Sequence, residues 1–62
     1  MTKQLIKIAY EAYESVKQYD EQYIKKWVRN RLQEHLRVEG VKLNERIKIA
    51  DTIINETVVK WL

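Results

Sequence analysis

Arg31, His35 and Glu39 recur at i, i+4 spacing in the middle of the chain. On a helix these three side chains stand one above another on a single face. The chemistry such a row offers is specific. A carboxylate orients an imidazole for proton transfer, and a guanidinium beside them holds an anion. The remaining parts of a catalytic site are missing. The chain has no cysteine, and no serine is spaced to serve as a nucleophile for His35. A single histidine among scattered carboxylates does not make a transition-metal site. The single glycine excludes a glycine-rich phosphate loop. Long amphipathic side chains in this position more commonly edge a core or line a seam between subunits, where they snorkel and pair with carboxylates. The expectation is therefore no enzyme, no cofactor and no metal, with Arg31 and His35 on a partner seam.

A second kind of chemistry is electrostatic. Lys25-Lys26-Trp27-Val28-Arg29-Asn30-Arg31 is the one local excess of positive charge. Lys26, Arg29, Asn30, Gln33 and Arg37 share an outward helical face, with Trp27 or Tyr23 beside them for base stacking. Nucleic-acid contacts would come from Lys25, Lys26, Arg29 and Arg37. Twelve Lys/Arg against nine Asp/Glu give a net charge of only +3, spread almost evenly along the chain. A dedicated nucleic-acid binder concentrates far more charge on one face. A helix-turn-helix comparison also fails. Gly40 to Asn44 is long for the tight turn, Arg46 stands where that motif prefers an aliphatic residue, and Glu45 would face phosphate. A solvated charged face is the favoured reading, and nucleic-acid binding is the second.

These side chains need helices to position them. Sixty-two residues allow one domain, 1–62, and a chain of this size buries only about 60% of its unfolded surface. Without cysteine or any other staple, stability must come from packing, alone or with a partner. No proline interrupts the chain, and the punctuation is limited to Asp20 and to Gly40-Val41-Lys42-Leu43-Asn44. Apolar residues between these marks recur at helical spacing. The pattern predicts an all-α three-helix bundle with helices at about 3–19, 21–39 and 45–62. The first carries Leu5, Ala9, Ala12, Val16 and Tyr19 inward, flanked by Ile6, Ile8 and Tyr13, while Glu11 and Glu14 lie opposite. Asp20 caps the second helix, with Tyr19 and Ile24 as a hydrophobic staple. Its stripe is Ile24, Val28, Leu32 and Leu36, and Gly40 closes it. Asn44 caps the third, whose stripe is Ile47, Ala50, Ile54, Thr57 or Val58, and Trp61.

Two groups of apolar residues are left over. Trp27 and Val38 form a second stripe on helix 2, on the far side of Arg31 and His35. Ile49 and Ile53 lie about 100° or more from the helix 3 stripe. In a chain short of core, this surplus predicts a homo-oligomer or protein partner surface made of Trp27, Val38, Ile49, Ile53, Arg31 and His35. No stretch is apolar enough to span a membrane. Met1-Thr2-Lys3-Gln4-Leu5 has no long apolar region, so no secretory leader is expected. The cytoplasm is the expected location.

One family resemblance rests on particular segments. Ile24-Lys25-Lys26-Trp27-Val28, then Leu32 and Leu36, are followed by Gly40-Val41-Lys42-Leu43-Asn44-Glu45. The chain then closes with Ile54-Asn55-Glu56-Thr57-Val58-Val59-Lys60-Trp61-Leu62. Together these resemble the C-terminal cytoplasmic part of the LL-H family of phage holins, over residues 24–62. There a Lys-Lys helix leads through a Gly-Ile/Val turn to a closing helix. The N-terminal transmembrane helix of that family has no counterpart here. The resemblance implies a phage or mobile-element origin and a soluble helical module. It does not imply pore formation, and no functional residue carries over. The sequence thus favours a non-enzymatic helical protein acting by self-association and by binding a host or phage protein.

Overall fold

A computed structural model describes residues 2–62; Met1, where the leader reading begins, lies outside the described residues. The elements are α1 (Thr2–Val16), α2 (Glu21–Val38) and α3 (Leu43–Ile53), with α3 continuing through a π-turn (Ile54–Val58) into α4 (Val59–Trp61). There is no strand among the described residues, and the all-α three-helix architecture is as expected. No helix among them is long and apolar enough to cross a membrane.

The core is built from the expected stripes of the first two helices. Leu5, Ala9, Ala12 and Val16 of α1 meet Ile24, Val28, Leu32 and Leu36 of α2, all of them buried. Helix α1 ends three residues sooner than its apolar spacing suggests. Asp20 must be extended (φ −72°, ψ 165°) to cap α2, and its carboxylate accepts the Tyr23 N–H at 2.8 Å. A helix running through Tyr19 would leave no residues for the chain to reverse. Tyr19 is therefore exposed and leans on Tyr23, with ring centroids 4.8 Å apart, instead of stapling Ile24.

Gly40 closes α2 at φ +86°, a conformation only glycine adopts without strain. Its N–H donates to the Arg37 carbonyl and that of Val41 to the Leu36 carbonyl, each at 3.0 Å, the paired bonds of a Schellman ending. Val41 packs against the core at this corner.

Helix α3 departs most from expectation. It starts at Leu43 with Lys42 as its N-cap and no capping side chain, so Asn44 lies inside the helix and does not cap it. Leu43, Asn44 and Glu45 are exposed, so water satisfies the first amides and no cap is required. The Arg46 guanidinium instead donates to the Val41 carbonyl at 2.8 Å, tying the connection to the helix. The inward stripe is Ala50, Ile53, Ile54 and Val58. Ile53 is 7% exposed and belongs to the core of the single chain, so it is not part of a free partner surface. Ile47, expected inside, is 42% exposed. The two isoleucines sit about 60° to either side of Ala50 on the wheel, and the helix is rotated so that Ile53 and not Ile47 faces inward. Ile49 is half-buried against the core, another correction to its assignment as surplus.

Candidate interaction site

With Ile53 and Ile49 absorbed, the surplus that remains lies between α1 and α2. Trp27, Arg31, His35 and Val38 stand at i, i+4 or i+3 spacing, so they form one row along the flank of α2. On α1, Ile8, Glu11, Ala12 and Ser15 form the facing row. Two adjoining recesses share Ile8 and Arg31 and make one groove. The first, about 300 Å³, is lined by Glu11, Ala12 and Ser15 opposite Trp27 and Arg31. The second, about 240 Å³, is lined by Ile8 opposite Arg31, Glu34, His35 and Val38. Trp27 is 37% exposed and Val38 70% exposed. Four of the six residues assigned to a partner surface by sequence are thus brought together. Sequence reasoning missed the contribution of α1. Ile8 read only as the edge of a core stripe, and nothing in its own spacing shows which neighbouring helix leaves it uncovered.

The row Arg31–His35–Glu39 does not close into a catalytic arrangement. Glu39 is the C-cap just past α2, and its backbone N–H donates to the His35 carbonyl at 3.1 Å. No ion pair joins His35 to a carboxylate among the described residues. Nor is there any group of three or more metal-capable side chains among them.

The basic face is largely spent on internal pairs. Arg29 Nε donates to Asp51 Oδ1 at 2.9 Å, linking α2 to α3. Arg37 donates twice to Glu34, at 2.6 and 3.1 Å, and the two hydrogen bonds and charge hold the Glu34 carboxyl below its usual range. Lys25 stands 3.8 Å from Glu21. Lys26 alone of the four candidate contacts has no ion pair among the described residues. In the groove, Arg31 and Glu11 are likewise without ion pairs among them.

A second aromatic cluster braces the end of the chain. Tyr13 donates to the Trp61 carbonyl at 3.0 Å, which satisfies one of the orphan acceptors of the helix terminus. The Tyr10 ring meets Trp61 edge-on, with centroids 5.2 Å apart. Tyr10 therefore serves packing although it lies on the polar side of α1. No protein-family model, no curated protein and no solved structure matches the chain.

Proposed function

We propose that this is a small non-enzymatic helical protein that acts in the cytoplasm by protein–protein interaction, associating with itself and with a host or phage protein. The observation that carries this reading is the groove between α1 and α2. It leaves a tryptophan, an isoleucine and a valine at the surface around one cation that has no ion pair among the described residues. Amphipathic aromatic and arginine side chains are enriched at the centres of protein interfaces for this reason: they bury area and still place a polar group. The resemblance of residues 24–62 to the LL-H holins supports a phage or mobile-element source.

Sedimentation equilibrium across the micromolar range tests the reading directly. Association is expected, and Trp27→Ala is expected to weaken it. A chain that remains a monomer throughout removes the self-associating part.

Nucleic-acid binding is the second reading, favoured by Lys26, whose ammonium has no ion pair among the described residues. It requires an affinity for DNA that falls steeply with salt, because each neutralised phosphate releases counterions. With Arg29 and Arg37 already paired, a flat titration at low ionic strength is expected.

A further inference from the structure

We propose that a second copy of this chain occupies the α1–α2 groove, related by a two-fold axis running along the helices so that each Arg31 meets the partner's Glu11. The inference rests on the interaction reading above and names its partner and its geometry.

Glu11, Ala12 and Ser15 of α1 line the same recess as Trp27 and Arg31 of α2, and Ile8 lines the next recess together with His35 and Val38. A closed dimer uses one patch on both subunits, so that patch must complement itself under the two-fold operation. An axis lying across the helices sets α2 on the partner's α2 and brings the two Arg31 side chains towards each other. An axis along the helices sets each α1 on the partner's α2 at the same level.

Under the second operation Arg31, Glu11, Trp27, Ile8 and Val38 each gain a suitable neighbour. Arg31 and Glu11, neither of them ion-paired among the described residues, become two equivalent salt bridges between subunits. The bulky Trp27 lies over the small side chains of the partner's Ala12 and Ser15. Ile8, half-buried in its own chain, lies over the partner's Val38, so the most exposed residue of the apolar strip is covered. The product is a bundle with four helices at its centre, the α1 and α2 of each copy, and α3 on the outside. Paired charges at such a seam fix register and disfavour other docking arrangements, because those bring like charges face to face.

The test is a charge swap read by sedimentation equilibrium. Glu11→Arg and Arg31→Glu each place like charges across the axis, and each is expected to weaken dimerisation by at least roughly tenfold. Both positions are exposed, and circular dichroism verifies that the variants fold. Mixing the two variants in equal amounts restores both salt bridges in a heterodimer, so the mixture is expected to regain the wild-type affinity to within about threefold. Lys26→Glu on the outer face alters the net charge as much as Arg31→Glu does, and it is expected to leave association unchanged. A wild-type dimer indifferent to both groove variants overturns this geometry while leaving the interaction reading intact. Loss of association without recovery on mixing, or equal loss with Lys26→Glu, also overturns it. A wild-type chain that stays monomeric removes the self-association on which it rests.

Discussion

The phenol of Tyr10 donates to Glu14 Oε1 at 2.8 Å, and Lys17 Nζ approaches Glu14 Oε2 to 2.8 Å. The hydrogen bond and charge of Glu14 raise the Tyr10 phenol above its ordinary value and raise the Lys17 ammonium likewise. Hydrogen bonds from Lys17 and then from Tyr10 lower the Glu14 carboxyl. The signs fix a pH window. The contribution of Glu14 is present above its unfolded value and is lost as pH falls through the lowered folded one. Those of Tyr10 and Lys17 are present below their unfolded values and are lost as pH rises through the raised ones. The cluster is therefore complete between about pH 5 and about pH 10. Ultraviolet titration of the tyrosines should show the Tyr10 phenol ionising above its ordinary value. Glu14→Gln should return it to the ordinary range, and an unchanged curve in that variant would show that the bond does not form in solution. Residue-scale features of this local kind were legible in the sequence where a side chain acts within a turn of its own position. Asp20 caps and Gly40 closes because each needs only its neighbours. The bonds from Arg46 to the Val41 carbonyl and from Tyr13 to the Trp61 carbonyl were not legible, since both depend on how the chain comes back on itself.

At the scale of elements, the inward faces of the first two helices were read correctly apart from Tyr19, which lies past the end of α1 and is exposed, because each stripe is unbroken and bounded by a strong signal. The third was read out of rotation. Its isoleucines at 47, 49, 53 and 54 spread over an arc of about 160°, so periodicity alone leaves more than one inward face open. Which face turns inward is decided by α1 and α2 together, and that choice buries Ile53 and leaves Ile47 half-exposed. The same rotation absorbs the expected helix 3 surplus, Ile53 in the core and Ile49 against it, and shifts the candidate site to the α1–α2 groove. Two alanine substitutions check the rotation by denaturant unfolding. Ile53→Ala should cost about 2–5 kcal/mol, the range for emptying a buried aliphatic site. Ile47→Ala should cost less than about 1 kcal/mol. Equal costs would mean that the helix is turned differently.

Among the described residues the molecule folds around twelve buried side chains, of which three are alanines and none is aromatic. Both tryptophans lie at the margins, Trp61 against the tyrosines of α1 and Trp27 in the groove. A core this slight leaves little stability in reserve for a chain of this length. Covering the groove then stabilises the fold by mass action, since only the folded chain presents it. The melting temperature should accordingly rise by several degrees over an about hundredfold increase in protein concentration, measured by circular dichroism, and Glu11→Arg should abolish that dependence. A melting temperature constant with concentration would show folding and association to be uncoupled. The π-turn at Ile54–Val58 bears on the length of the molecule itself. A π-turn houses one residue more than the same span of α-helix, and Asn55 within it is exposed. Removing Asn55 lets the helix regain regular α-helical bonding while Val58 still faces the core and Trp61 still faces Tyr10 and Tyr13. In a body where almost any other deletion inside a helix would swing the following side chains through about 100°, this is one place where the chain has slack.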